Sequence, residues 1–293
     1  MEILTTPDRH FEALPGPDFE SHTTDIGDGL AVHHVEAGVG PVVILMHGQP
    51  TWSFLYRSMI GRLTDEGYRV IAPDLVGFGR SSKPSEMADH TYERHVTWMT
   101  RWLDALDPDG VTLFAQDWGG LIGLRVATND PARFDRIAIG NTGLPVGRSI
   151  GPGFDRWLQT SQTMEVMDAG AMLQFATRAR ELTDAEMDAY RAPFPSELFM
   201  AGAREFPTLV PITPEHGGVA ENLAAWEALE RWTKPFVTMW GLDDAVLGHL
   251  GSEFVARVPG AAGQPHVELS PCGHFVQDDR GEDIAAALVE WMS

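Results

Sequence analysis

Short apolar runs alternate, through the first half of the chain, with stretches where apolar side chains recur every three or four positions. Residues 30–35 and 41–46 read as strands, the second almost continuously apolar, as a strand covered on both faces must be. Residues 52–63 have helical spacing, and 68–72 return to a strand pattern. Residues 92–106 read as a helix, 111–114 as a strand, 119–128 as a helix and 136–139 as a strand. Such alternation predicts a mostly parallel central sheet flanked by helices on both faces.

The pattern changes after Asn141. Residues 144–213 carry Pro and Gly punctuation, helical patches at 154–167 and 171–179, and no strand pattern. Thr183 followed by Glu186 is a capping-box start for a further helix. A helical cap is therefore expected over 144–213, inserted between core segments 1–143 and 214–293. The second core segment has a helix at 221–232, strands at 236–240 and 266–269, and a closing helix at 283–291.

One junction carries the chemistry. Phe114-Ala115-Gln116-Asp117-Trp118-Gly119-Gly120 joins an apolar strand to a helix, the strand–sharp turn–helix context in which α/β-hydrolases present their nucleophile. Most such enzymes use serine there, which needs a base to remove its proton; Asp117 is already ionised near neutral pH. A carboxylate attacks amides poorly but can displace a leaving group from saturated carbon. Asp117 thus points to carbon–halogen or epoxide C–O cleavage through an alkyl-enzyme ester.

The partners of such a nucleophile follow it in the order acid, then histidine, on loops at strand ends. His274 lies beyond the last strand and before the final helix, and is expected to activate water as general base. The acid that orients it is Asp243 or Asp244, adjacent residues after strand 236–240, between which spacing does not choose. His47-Gly48-Gln49-Pro50 follows strand 41–46, where α/β-hydrolases place half of an oxyanion hole. The backbone N–H groups of Gln49 and Trp118 are the expected donors, with His47 shaping the loop.

Composition narrows the setting. The 293 residues suffice for a substantial core, and 43% apolar with 22% charged residues is ordinary for a globular protein. A formal charge of -21 disfavours nucleic acid and anionic membrane surfaces as partners. Residues 1–17 lack the apolar core of a signal peptide, and Cys272 is the only cysteine, so a cytoplasmic location is expected. Cys272 itself reads as a small buried residue rather than a second nucleophile.

His47 to Arg57 (HGQPTWSFLYR), Asp74 to Pro84 (DLVGFGRSSKP) and Gln116-Asp117-Trp118-Gly119-Gly120 closely resemble the haloalkane dehalogenases. Gly273-His274-Phe275-Val276-Gln277 and Ala192-Pro193-Phe194-Pro195 do so as well, so the resemblance spans nearly the whole chain. It implies the α/β-hydrolase fold with a helical cap, a small halogenated hydrocarbon as substrate, chloride or bromide as product, and neither cofactor nor metal. It favours Asp244 as the acid. It also implies a halide site of two side-chain N–H donors, one on Trp118. The second is an asparagine after His-Gly or a tryptophan early in the cap. Gln49 stands in the first place, whereas Gly153-Phe154-Asp155-Arg156-Trp157 matches the second and makes Trp157 the expected donor. Epoxide hydrolases share the aspartate but use an acid on the epoxide oxygen, usually paired cap tyrosines; Tyr190 is the only tyrosine in 144–213. A ligand-binding homologue without activity would be expected to lack a member of the set Asp117, Asp244 and His274.

Overall fold

The computed structural model describes all 293 residues. Ten strands and ten α-helices follow in the order β1 (Ile3–Leu4), β2 (Glu20–Gly27), β3 (Leu30–Ala37), β4 (Val42–Met46), α1 (Arg57–Asp65), β5 (Arg69–Pro73), β6 (Lys83–Pro84), α2 (Tyr92–Leu106), β7 (Val111–Gln116) and α3 (Trp118–Asn129). Then come β8 (Phe134–Gly140), α4 (Pro152–Thr163), α5 (Ala169–Ala176), α6 (Asp184–Arg191), α7 (Ala201–Leu209), α8 (Val219–Leu229), β9 (Phe236–Gly241), α9 (Gly251–Arg257), β10 (Val267–Leu269) and α10 (Val276–Met292). Eight strands form one sheet in the order β10-β9-β8-β7-β4-β5-β3-β2. Its pairings are parallel except where β3 meets β2 and β5.

The apolar strands make sense once both faces are covered. Along β4, Ile44 and Met46 join one buried cluster while Val43 and Leu45 join the other. In β7, Leu113 and Ala115 divide from Phe114 in the same way. Successive side chains of a strand point to opposite faces, so a strand between two helical layers must be apolar at every position. Each large apolar side chain removed fully from water contributes about 1.5–3 kcal/mol.

Between β8 and β9 the chain is helical and contributes nothing to the sheet. The capping box at the start of α6 is present, with Thr183 and Glu186 bonding reciprocally. Several elements differ from the pattern expected, among them the two-residue strands β1 and β6. Strand β2 has one buried residue in eight, Ile26, so a sheet edge paired on one side left no apolar alternation to read. Helices α7 and α9 were not distinguished; α7 carries Pro207, which breaks a helical pattern. Helix α10 starts seven residues earlier than expected and is kinked at Arg280. Its first turn holds Gln277, Asp278 and Asp279, polar in sequence yet buried. No helix is long and apolar enough to cross a membrane.

Candidate active site

Asp117 sits at the junction of β7 and α3 with φ 52° and ψ −129°, a conformation that costs a side-chain-bearing residue about 1–3 kcal/mol. The surroundings hold it there. Its N–H donates to the Asn141 carbonyl at 2.9 Å and its carbonyl accepts from the Thr142 hydroxyl at 2.7 Å. A Cβ on Gly119 would overlap the Met46 carbonyl, and one on Gly48 would overlap the Asp117 carboxylate. Glycine at both places lets the β4 loop and the α3 start close around the elbow. The Gln49 N–H donates to Asp117 Oδ1 at 2.8 Å. Trp118 begins α3, so its N–H lies among those without an intrahelical acceptor.

His274, in the loop before α10, points Nε2 at Asp117 Oδ2, 3.5 Å away, and Nδ1 at Asp244 Oδ2, 2.8 Å away. Asp244 is buried and also accepts from the Asn141 amide at 2.9 Å and the Val246 N–H at 2.8 Å. Burial works against its charge, but His274 and these donors outweigh burial and bring its pKa down to about 2. Asp243 turns away, accepting from the Ser270 hydroxyl at 2.8 Å and the Cys272 N–H at 3.0 Å. Burial also opposes a charge on His274, yet the Asp244 and Asp117 carboxylates raise its pKa to about 10.

A cavity of about 160 Å³ opens over this group. Asp117, Trp118 and His274 line it from the sheet side; Phe154, Trp157 and Met172 line it from the helices after β8. Trp52, Trp226 and Trp240 each donate their indole N–H to a backbone carbonyl, whereas the indoles of Trp118 and Trp157 have no protein acceptor. The Trp118 ring is fixed between Tyr92 (5.2 Å, edge-on) and Phe206 (4.5 Å, tilted). The Gln49 side chain is already engaged: its Nε2 donates to the Ala203 carbonyl at 3.1 Å.

Two neighbours of these residues escaped the sequence reading. Gln116 donates from Nε2 to the His274 carbonyl at 3.0 Å, which places the same nitrogen 3.2 Å from His274 Nε2. Asn141 bridges the Asp244 carboxylate and the Gly241 backbone. Gln116 lies inside the quoted elbow motif and Asn141 just past a strand end; position was the only signal either gave. His47 is fully buried, with Nε2 accepting from the Leu75 N–H at 2.9 Å, and so joins two loops. Cys272 is buried, which pushes its thiol pKa up to about 12 and leaves it inert at neutral pH.

A family model for the alpha/beta hydrolase fold matches residues 41–281. A haloalkane dehalogenase of Mycolicibacterium paratuberculosis is 44% identical, covering 99% of this chain and 98% of its own length. One from Psychrobacter cryohalolentis is 46% identical, covering 100% and 98%. The solved haloalkane dehalogenase of Paraglaciecola agarilytica superposes with a TM-score of 0.92 at 29% identity, covering 98% of this chain and 97% of that one. With Asp117 on its elbow, the chain belongs to the haloalkane dehalogenases, within the α/β-hydrolase fold.

Proposed function

We propose that Asp117 and His274 divide between them the hydrolytic cleavage of carbon–halogen bonds that this family performs. The observation that carries the reading is a carboxylate on the elbow with a histidine 3.5 Å behind it and an apolar cavity in front. Asp117 attacks the halogen-bearing carbon; the C–X bond breaks as the ester C–O bond forms, and halide leaves. Trp118 and Trp157 supply N–H donors to the departing ion. A lone anion in an apolar cavity is costly to desolvate, and neutral donors stabilise it without the grip of a buried cation.

The proton cycle follows from the field around His274. Before attack, two carboxylates keep the imidazole charged. Alkylation turns Asp117 into a neutral ester and removes its contribution, so His274 loses its proton to solvent. Gln116, held by the His274 carbonyl, can donate to Nε2 only after that loss and so steadies the neutral base. Nε2 then takes a proton from water as the water oxygen attacks the Asp117 carbonyl. The N–H groups of Gln49 and Trp118 hold the oxyanion, each such donor typically worth about 2.7–4 kcal/mol. Collapse releases the alcohol and restores Asp117 beside protonated His274. Haloalkane and water have become alcohol, halide and one proton, and the enzyme ends as it began.

In this reading residues 1–143 and 214–293 form the core, and 144–213 the cap that closes the cavity. The charge of -21 supports excluding nucleic acid and anionic membranes as partners, and the single cysteine fits a cytoplasmic setting. Epoxide opening is disfavoured by the tyrosines, none of which lines the cavity; the Tyr190 hydroxyl is committed as a hydrogen-bond donor to the Asp278 carboxylate. Halide release from chloro-, bromo- and iodoalkanes, with styrene oxide alongside, tests the proposal. Bromide release without diol formation is expected; diol formation without halide release would overturn it.

A further inference from the structure

A second cavity, of about 430 Å³, shares no lining residue with the one over Asp117. Ser21 and His33 line it, Asp74 lies buried behind His33, and the dehalogenation chemistry uses none of the three. Ser21 lies on β2 opposite Val35 of β3, and His33 sits two residues before Val35, so Ser21 and His33 are diagonal neighbours on one face. Asp74 follows β5, and its N–H donates to the His33 carbonyl at 2.8 Å. The backbone thus brings three chemistry-bearing side chains into a row.

Their geometry is that of a nucleophile, a base and an orienting acid. Ser21 Oγ lies 3.1 Å from His33 Nε2, and His33 Nδ1 lies 2.8 Å from Asp74 Oδ2. Asp74 is wholly buried and also accepts from the N–H groups of Ser53 and Arg80, each at 2.8 Å. Three donors hold it as an acceptor, which sets the Nδ1–H tautomer and leaves Nε2 facing the serine. Ser21 is exposed while His33 and Asp74 are buried, so the reactive oxygen is reachable and its partners are shielded.

The walls suit a small acyl group. Phe11, Leu14, Phe19 and Phe54 supply apolar surface. Arg57 is committed to Glu186 and Asp278, but the Arg80 guanidinium rests 4.5 Å over the Phe11 ring and approaches only an exposed carboxylate, Asp8, at 3.7 Å. Arg80 therefore lines the cavity with no buried carboxylate paired to its guanidinium. Glu12 and Asp18 also line the cavity and would repel an anionic substrate.

We propose that Ser21, His33 and Asp74 form a second, independent acyl-transfer site that hydrolyses small uncharged carboxylic esters. Ser21 Oγ bonds to the acyl carbon as its proton passes to His33 Nε2. The bond from that carbon to the alcohol oxygen breaks, and the proton goes to the leaving oxygen. Water then attacks the acyl-serine by the same route, releasing the acid and restoring the serine.

An alkyl fluorophosphonate and p-nitrophenyl acetate test this on the full chain. The parent should gain one phosphonyl group, mapped by peptide mass to Ser21. Ester hydrolysis is measured in a His274→Ala background to silence the first site. Adding Ser21→Ala should abolish the adduct and lower ester hydrolysis at least tenfold. Ser21→Ala alone should leave haloalkane turnover unchanged, which certifies the fold. The proposal is overturned if no adduct forms on Ser21, or if ester hydrolysis is the same with and without the Ser21 hydroxyl.

Discussion

The two sides of the cavity over Asp117 are held by different means. On the sheet side, Asp117, Asp244 and His274 hang from strand ends and are fixed largely through backbone groups. Asp117 is pinned by Asn141 and Thr142 and Asp244 by Val246, while the His274 N–H reaches across to the Ala176 carbonyl at the end of α5. On the other side, Trp157 of α4 and Met172 of α5 ride on short helices, and the neighbouring α6 is tied to α1 and α10 through charged side chains. Arg57 of α1 pairs with Glu186 of α6 at 2.7 Å and with Asp278 of α10 at 2.6 Å, and Arg180 bridges the same two carboxylates. Backbone anchoring ties the placement of Asp117 and Asp244 to the strand ends themselves. Side-chain tethering lets the lining change by substitution without disturbing the elbow.

The contrast can be broken from either side. On the sheet side, Asp244→Ala should lower kcat by about 10⁴-fold, the scale on which a mis-set histidine tautomer acts in other triads. Asp243→Ala, which removes bonds to Ser270 and Cys272 only, should change kcat less than about threefold, since it leaves every group near the reacting atoms in place. Steady-state rates of the two variants decide the matter, and the reverse order would reassign the acid.

On the tethered side, Arg57→Met leaves Asp278 buried with fewer counter-charges. Removing one partner of a buried pair typically costs about 3–5 kcal/mol, and the lower figure is expected because Arg180 remains. Urea unfolding should show it, with the kcat of the folded fraction little altered. Trp157→Phe keeps the ring and deletes one donor to an ion, a loss of about 1.5–3 kcal/mol. Bromide titration should then need at least tenfold more halide for the same fluorescence change. Unchanged binding would make Trp157 packing only.

The smallest effect expected is a shift in titration. In the folded parent, the His274 imidazole should lose its proton near pH 10, as read by NMR. Its pKa is raised above the unfolded value, so the stability it contributes is complete below about 6.5 and lost as pH climbs through about 10. Asp117→Asn removes one of the two carboxylates, so the titration should move down and the alkaline loss of stability should shrink. A titration unmoved by that substitution would contradict the proton cycle proposed above.

The fold was legible because a sheet covered on both faces forces continuous apolar runs, as in β4 and β7. Strand β2 was not, because an edge strand facing water keeps no such run. The elbow was legible for a local reason: strand, turn residue and helix lie within seven consecutive positions. Longer-range parts were opaque. Nothing in the spacing says that Asp243 faces Ser270 while Asp244 faces His274, since one peptide unit separates them. The early start of α10 was hidden because its first turn is polar. Asp278 is buried against Arg57, Arg180 and the Tyr190 hydroxyl, all distant in sequence. Ser21 and His33 meet through sheet pairing and carry no motif, and Asp74, though it opens the run Asp74 to Pro84, joins them only in the fold.

The central claim is the division of labour between Asp117 and His274, and trapping the intermediate tests it most directly. A His274→Phe variant with the parent's circular dichroism is exposed to 1-bromobutane and weighed intact. The account predicts a protein heavier by one butyl group, located on Asp117, with one bromide released per chain and no further turnover. An unmodified protein that continues to release bromide, or a butyl group on any other residue, would contradict it.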